Sequence, residues 1–277
     1  MDFEVDHIII VVKDLNQASA DYEALGFTLT AKSIHPFGTA NRLIWLGGSF
    51  IELLAIEDPE RLGAFAVIKD VLDRSGKDTP WGLVWSMQDP RATHEYCESI
   101  GMAPSALQEH VTREIQHPDG SVHETCYSSF ALVKSFSAHY MEGFSVQHRP
   151  DSTFAKAWKT HGNGGGVMKQ VVLESPSLSQ AAEHFDAFGH GLLKERASSL
   201  EFGKGKCRVQ IVPQLNAAEA EPGPTLSAVE IAMADLAQFK RAVSAKVDFT
   251  ETSSGTLDVA AEFAAGVRLR LTDGGVQ

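Results

Sequence analysis

The stretch Asp6-His7-Ile8-Ile9-Ile10-Val11-Val12-Lys13-Asp14-Leu15 decides how this chain folds. Its run of Ile and Val predicts a β-strand that is buried on both faces. Asp14 then stands where a helix N-cap is expected, with Gln17 placed to bond back to the cap amide. Gly26 follows the apolar face of that helix and predicts its end, because glycine readily takes positive φ. The unit is a strand followed by a helix of about three turns.

The same unit returns three times along the chain. Its strands recur near Gln170, Ala228 and Gly82, and Gly189 ends the second helix as Gly26 ends the first. The helix starts share their capping chemistry and are Ser177 with Gln180, Asp235 with Gln238, and Asp89 with Pro90 at the first helical position. Matching caps at equivalent places predict a tandem repeat, which must be recognised before any fold is assigned.

Each predicted helix is followed by short alternating runs that glycine turns separate, the pattern of β-hairpins. The chain therefore reads as α+β, with four βαβββ modules near residues 5–56, 80–147, 167–214 and 226–273. An extra helix is expected between residues 59 and 76, and residues 217–224 read as a polar connector. The glycine run at residues 161–166 predicts the domain boundary. We expect one domain over residues 1–150 and a second over residues 151–277.

Composition excludes several classes of function. The 277 residues carry 24 basic and 36 acidic side chains, a formal charge of −12, so nucleic acid and anionic membranes are poor partners. No apolar run approaches the roughly 20 residues that span a bilayer, and the first strand starts too early for a signal peptide. Cys97, Cys126 and Cys207 are odd in number and widely spaced, which favours a reduced, cytoplasmic setting.

The modules resemble the vicinal oxygen chelate superfamily, and in particular its glyoxalase-like branch. The likeness is carried by His7 in the first strand, by the phrase His35-Pro36-Phe37-Gly38-Thr39-Ala40-Asn41, by Phe50-Ile51-Glu52-Leu53, and by His161-Gly162-Asn163-Gly164 between the halves. It implies that paired modules curl into cup-shaped mixed sheets. It also implies that metal ligands come from the first and last strands of each module, and that subunits pair as a homodimer.

Carried onto this chain, the resemblance implies His7, Glu52 and Glu142 as ligands of a divalent metal. Gly82 departs from the pattern, because it can supply no ligand, and a register slip of one residue would present His139 or Met141 instead of Glu142. One imidazole with two carboxylates suits Zn²⁺, Mn²⁺, Fe²⁺ or Ni²⁺. The corresponding positions of the second domain are Gln170, Gln210, Ala228 and Arg270, so that domain is expected to bind no metal.

The resemblance further implies a small substrate that chelates the metal through neighbouring oxygens, with Glu142 or Glu52 as general base. Side chains expected to touch the substrate are His35, Asn41, Arg42, Trp45 and His123. Lyase or isomerase chemistry is the first expectation. Two alternatives stay open, namely a metal-free protein that binds a small molecule such as an antibiotic, and an extradiol-type Fe²⁺ dioxygenase.

Overall fold

The computed structural model describes residues 3–133, 139–188, 192–196, 198–203, 205–214, 223–243, 245 and 247–274, which form two eight-stranded mixed sheets. The first sheet contains β1 (Val5–Val11), β2 (Ser33–Ile34), β3 (Thr39–Leu46), β4 (Ser49–Ile56), β5 (Thr79–Ser86), β6 (Gln108–Gln116), β7 (Val122–Ala131) and β8 (Met141–Gln147). Its helices are α1 (Leu15–Ala24), α2 (Val67–Ser75) and α3 (Pro90–Ser99), with a 3₁₀ turn at Gly63–Ala66.

A short helix, α4 (Pro150–Thr153), and a 3₁₀ turn at Lys156–Lys159 lead to the second half. The second sheet contains β9 (Gly166–Ser175), β10 (Leu192–Arg196), β11 (Ser199–Phe202), β12 (Arg208–Pro213), β13 (Thr225–Met233), β14 (Phe249–Glu251), β15 (Leu257–Val259) and β16 (Arg268–Asp273). Its helices are α5 (Leu178–Ala187) and α6 (Leu236–Ala242), with a 3₁₀ turn at Ala261–Phe263.

Each sheet is made of two modules joined at their first strands. The order of the first sheet is β2-β3-β4-β1-β5-β8-β7-β6, and the second sheet repeats it as β10-β11-β12-β9-β13-β16-β15-β14. Within a module the first strand pairs in parallel with the last, as β1 does with β4, whereas β1 and β5 pair antiparallel. The predicted α+β fold of four βαβββ modules in two curved sheets is therefore confirmed.

The helix starts follow the capping chemistry of the sequence. The side chain of Asp14 accepts hydrogen bonds from the backbone of Asn16 and Gln17 at 2.8 and 3.1 Å, and Asp89, Ser177 and Asp235 cap the equivalent helices. The expected return bond from Gln17 is not formed, because its amide donates forward to Asp21 at 2.9 Å. Gly26 ends α1 with φ of +80°, and the predicted stop at Gly189 lies outside the described residues.

The two halves share one apolar core, because the helix-bearing faces of both sheets pack against each other. Trp85 on β5 lies 5.9 Å from Phe185 on α5, and Phe144 on β8 lies 5.9 Å from Phe188, measured between ring centroids. The Tyr22 hydroxyl donates to the Ala264 carbonyl at 3.3 Å. With their convex faces covered in this way, the sheets leave their concave faces free to line cavities.

The segment between the halves is held by specific hydrogen bonds. His161 accepts from the Thr28 amide at 2.9 Å and donates through Nε2 to the Trp45 carbonyl at 2.7 Å. Asn163 donates to the Leu25 carbonyl at 2.9 Å and accepts from the Gly165 amide at 2.9 Å. The motif at residues 161–164 therefore has a structural role in the link, away from the candidate site described below.

Several predicted bounds differ from the observed ones. The extra helix spans Val67–Ser75 after its 3₁₀ turn, which is shorter than the predicted 59–76. Strand β7 ends at Ala131 and β8 begins at Met141, so Val133 and His139 lie outside the strands in which they were expected. Most of the predicted connector at 217–224 falls outside the described residues. None of the helices in the described ranges is long and apolar enough to cross a bilayer.

Candidate functional site

The concave face of the first sheet encloses a cavity of about 490 Å³, here called the N-terminal cup. The sheet curls so far that its two ends come together. The ring of His35, which follows β2, lies 6.3 Å from the ring of Tyr127 on β7. Most lining side chains are apolar, among them Phe37, Leu54 and Met141. A cavity of this size that is mainly apolar with few polar groups is typical of a small-molecule site.

His7 and Glu52 form a buried pair in the cup. Their exposed fractions are 6% and 8%, and His7 Nε2 lies 3.3 Å from Glu52 Oε2. On the opposite side of the imidazole, Nδ1 bonds to Asp6 Oδ2 at 2.6 Å. The ring stacks on Phe50 with centroids 4.4 Å apart. His7 is therefore fixed in position, with one nitrogen held by Asp6 and the other directed at Glu52.

The pair favours the charged forms of both groups. Burial by itself lowers the pKa of His7, but hydrogen bonds to Asp6 and Glu52 and the charges of those two carboxylates raise it to about 9. Burial raises the pKa of Glu52, yet the hydrogen bond and the charge of His7 outweigh it and lower that pKa to about 2. The two groups thus stand as imidazolium and carboxylate across the whole neutral range.

Asn41 and His35 extend this polar cluster. Asn41 Nδ2 donates to Glu52 Oε1 at 2.6 Å and lies 3.5 Å from His35 Nε2. The other nitrogen of His35 is 2.8 Å from the Thr39 hydroxyl. Burial first, and then the positive charge of Arg113, lower the pKa of His35 to about 3. His35 is therefore a neutral hydrogen-bonding group beside the charged His7–Glu52 pair.

Arg113 on β6 and Tyr127 on β7 also line the cup, although neither residue was expected there from the sequence. The guanidinium carbon lies 5.4 Å from the centre of the Tyr127 ring. A signal was present, since Val111, Arg113 and Ile115 alternate on one face of a strand, and a charge between two inward apolar positions is unusual.

Glu142 lies on the opposite face of the sheet from His7 and Glu52. It accepts from the Trp85 indole at 2.8 Å, and His184 Nε2 of α5 lies 2.6 Å from its other oxygen. Successive strand residues point to opposite faces, and the cup-facing residues of β8 are Met141, Gly143 and their alternates. The expected ligand set of His7, Glu52 and Glu142 is therefore not brought together. The prediction of Glu142 was wrong by one residue along β8.

The strand pairings identify the second-module positions that correspond to His7 and Glu52. On β4, Glu52 comes two residues after Phe50, the partner of His7. On β8, Gly143 comes two residues after Met141, the partner of Gly82. Both equivalents are therefore glycines. A Cβ at Gly82 would lie 3.1 Å from Ile9 Cβ, and one at Gly143 would lie 2.8 Å from the Phe130 carbonyl oxygen.

This donor set does not fit the divalent metal that the resemblance implied. A catalytic zinc takes three protein ligands, whereas the cup brings together one imidazole and one carboxylate, His7 and Glu52. The second imidazole of the cup, His35, is separated from that carboxylate by Asn41, which is bonded to Glu52 and lies 3.5 Å from His35 Nε2. Within the described ranges no group of three His, Cys, Asp or Glu side chains is arranged to hold a metal ion. The reserve ligand His139 precedes β8 and does not line the cup.

Three of the expected substrate contacts lie outside the cup. Arg42 donates to the Thr30 carbonyl at 2.8 Å and approaches Glu23 of α1. Trp45 packs against Phe154 with centroids 4.7 Å apart. His123 stacks on His117 at 3.8 Å, at the edge of the sheet. Of the five residues expected to touch substrate, His35 and Asn41 are the two that line the cup.

The second half shows the same register. Gln210 comes two residues after the strand partner of Gln170, and Arg270 comes two residues after the strand partner of Ala228. The four positions are therefore Gln170, Gln210, Ala228 and Arg270, as the sequence predicts. Arg270 lies 3.8 Å from Asp258. None of these four side chains is an imidazole or a carboxylate, so they form no ordinary divalent site.

Paired βαβββ modules that curl into two cups define the class of vicinal oxygen chelate folds, and comparison with known proteins agrees. The family model described as a glyoxalase-like domain matches residues 5–123. Residues 5–123, the part of the chain that this model matches, are therefore similar to a glyoxalase-like domain, as the resemblance to the vicinal oxygen chelate superfamily predicts. No curated protein matches it significantly.

Three solved structures share the architecture over almost the whole chain. A hypothetical protein from Staphylococcus aureus is 15% identical with a TM-score of 0.70, over 99% of this chain and 100% of that one. A mutant of 4-hydroxymandelate synthase from Streptomyces coelicolor is 10% identical with a TM-score of 0.63, over 100% and 94%. The Mn(II)-bound glyoxalase from Novosphingobium aromaticivorans is 12% identical with a TM-score of 0.57, over 99% and 82%. Likenesses at such low identity establish the fold and leave the reaction open.

Proposed function

We propose that the N-terminal cup is the active site of a lyase or isomerase that moves protons on a small organic molecule. The observation that supports this most is the buried His7–Glu52 pair, which borders an otherwise apolar cavity. Charged groups are seldom buried without a function, because their desolvation costs several kcal/mol per ion. Two ionisable groups whose pKa values are driven apart in one cavity are typical of acid–base catalysis.

The roles follow from the contacts of each group. Glu52, held by Asn41 at 2.6 Å, is the base that removes a proton from a carbon next to a carbonyl group. The hydrogen bond and charge of protonated His7 lower the pKa of Glu52, so its basicity rises as His7 gives its proton to the substrate oxygen. His7 is the acid, and its imidazolium stabilises the negative charge that develops on the neighbouring oxygen. Asp6, bonded to Nδ1 at 2.6 Å, fixes the ring so that Nε2 stays directed at Glu52 on the wall of the cavity. The proton on Glu52 then returns to a different carbon or leaves with a departing group.

A divalent metal of the kind bound by the glyoxalase from Novosphingobium aromaticivorans is not assigned to this chain. His7 and Glu52 are two adjacent donors where Zn²⁺, Mn²⁺, Fe²⁺ or Ni²⁺ in a catalytic centre usually has at least three protein ligands, and Asn41 lies between Glu52 and the imidazole of His35. The proton transfers above involve His7 and Glu52 alone. A metal-dependent lyase or an Fe²⁺ dioxygenase would require a third ligand beside this pair.

A second candidate is a protein that binds and sequesters a small molecule without transforming it. It is favoured by the aromatic side of the cup, where Phe37 stacks on His35 with centroids 4.8 Å apart and on Phe65 at 4.3 Å. Stacked rings bind flat apolar molecules well. The same cavity therefore suits both the enzyme and the sequestering protein. The two candidates differ because only the enzyme needs Glu52 for a reaction.

Proton exchange separates these candidates. Compounds that raise the melting temperature of the protein are incubated with it in D₂O, and their C–H signals are followed by ¹H NMR. An enzyme exchanges a C–H proton of at least one bound compound, and Glu52→Gln binds that compound without exchanging it. Glu60→Gln, which changes an exposed carboxylate, is the matched control and should exchange like the parent. Binding without exchange in the parent would favour the sequestering protein and overturn the enzyme.

A further inference from the structure

Arg113 presents an unpaired charge to the cup. Its Nε and Nη1 atoms are buried, and neither has a hydrogen-bond partner in the part of the chain that the structure describes. A buried guanidinium without an acceptor is strongly unfavourable, and native proteins seldom leave such groups unsatisfied. The side chain donates hydrogen bonds and accepts none, so the missing partner must be an acceptor.

Tyr127 contributes a second donor on the same wall. Arg113 lies opposite Thr125 and Val111 lies opposite Tyr127, so Arg113 and Tyr127 are diagonal neighbours on one face of the β6–β7 pair. The Tyr127 hydroxyl is buried and also has no partner among the described residues. Burial raises its pKa to about 12, so the hydroxyl keeps its proton at neutral pH. Two neighbouring side chains of one wall thus each carry a buried donor without an acceptor among the described residues.

No carboxylate of the cup is available to neutralise Arg113. Glu52 is the only Asp or Glu among the described residues that line the cavity, and its two oxygens already bond to Asn41 and His7. Near Arg113, His35 is neutral because burial, and then the guanidinium charge, lower its pKa. The wall formed by Arg113 and Tyr127 therefore carries one positive charge that requires an anion from outside the chain.

We propose that Arg113 and Tyr127 bind the carboxylate of the substrate, which makes the substrate a small organic acid with an apolar body. A planar carboxylate matches the paired N–H groups of a guanidinium, and a single negative charge matches a single arginine. The apolar part of the acid lies along Phe37, Phe65 and Leu54. The inference rests on the proposed function, because it assigns the substrate class of the same cup and leaves the proton transfer to His7 and Glu52.

Isothermal titration calorimetry with matched probes tests this assignment. Hexanoate and phenylacetate are compared with hexanamide and phenylacetamide, which have the same body without the charge, and with phenyl phosphate. At least one acid should bind more tightly than its amide. Arg113→Met keeps an apolar stem and should weaken that acid about ten- to hundredfold while leaving the amide unchanged. Tyr127→Phe, which removes only the hydroxyl, should weaken it about three- to tenfold.

The same variants give a readout that requires no ligand. Arg113→Met removes an unpaired buried charge and should raise the melting temperature, whereas the exposed control Arg268→Met should leave both stability and binding unchanged. Equal binding of acid and amide, no binding of either acid, or tighter binding of phenyl phosphate would overturn the carboxylate site. A neutral compound that exchanges a proton through Glu52 would still support the proposed function, so the failure of one proposal can be told from the failure of the other.

Discussion

Replacing Glu52 with Gln removes the negative charge from the His7–Glu52 pair while nearly preserving its shape. The two charged atoms are 3.3 Å apart, and at an effective dielectric constant of about 20 their attraction is about 5 kcal/mol. Part of this attraction offsets the desolvation energy that burying the two charges costs. The net rise of the His7 pKa from 6.5 to about 9 corresponds to about 3 kcal/mol. In Glu52→Gln that pKa should fall, although the hydrogen bond and charge of Asp6 continue to raise it.

The pH dependence of stability reports this change. A raised folded-state pKa stabilises the protein fully below the unfolded value of 6.5, and this stabilisation is lost as the pH rises through about 9. The lowered pKa of Glu52 acts at the other end, since its stabilisation is present above 4.5 and is lost as the pH falls through about 2. The pair therefore stabilises the fold most between these two unfolded values.

Urea denaturation of parent and variant at about pH 6 and about pH 9.5 measures the effect. We expect Glu52→Gln to lower the free energy of unfolding by about 1–2 kcal/mol more at the lower pH than at the higher one, because Asp6, which contributes more than Glu52 to the raised pKa of His7, is retained. Taking the difference between parent and variant removes contributions from other titrating groups. Glu60→Gln should differ from the parent by less than about 0.5 kcal/mol at both pH values. An equal loss for Glu52→Gln at both would refute the ion pair.

Two further predictions concern the faces of β8. His184→Ala leaves the buried Glu142 without its imidazole partner and should lower the free energy of unfolding by about 1–2 kcal/mol, a value discounted because His184 is partly exposed. Burial lowers the pKa of His184, but the charge and hydrogen bond of Glu142 outweigh this effect and raise it. The loss of stability in His184→Ala should therefore be complete below pH 6.5 and should shrink at higher pH, which urea denaturation of parent and variant at both pH values would measure. Gly143→Ala places a Cβ 2.8 Å from the Phe130 carbonyl and should destabilise the protein by about 1–3 kcal/mol in thermal unfolding. Gly162→Ala, whose Cβ would lie 3.6 Å from its nearest neighbour, should unfold like the parent.

Local chemistry made the fold predictable from the sequence. The helix starts at Asp14, Asp89, Ser177 and Asp235 use short-range capping, which a single sequence displays directly. Repetition of that signal at four places indicated the module, whereas the order of the strands within each sheet had no such local signal. His7 and Glu52 could be singled out on similar grounds, because an imidazole and a carboxylate in apolar strands require a partner.

The remainder of the site depends on register and on the closure of the sheet. A shift of one residue moved Glu142 from the cup to the face that contacts His184, because the sequence around residues 139–144 alternates too weakly to fix the phase of the strand. Arg113 lies on an edge strand with mostly exposed neighbours, so its sequence resembles a solvent-facing strand. Its contact with Tyr127 and its approach to the polar cluster follow from the curl of the whole sheet, which no local pattern encodes.

The central claim is that His7 and Glu52 act as an acid–base pair in the cup and not as metal ligands. Elemental mass spectrometry on untagged protein, after incubation with Zn²⁺, Mn²⁺, Ni²⁺ or anaerobic Fe²⁺ and removal of free ions, tests it most directly. We expect Glu52→Gln and the parent to retain the same metal content, with no stoichiometric ion that depends on Glu52. About one ion per chain in the parent that is lost in Glu52→Gln and kept in Glu60→Gln would contradict the account and restore a metal centre to the cup.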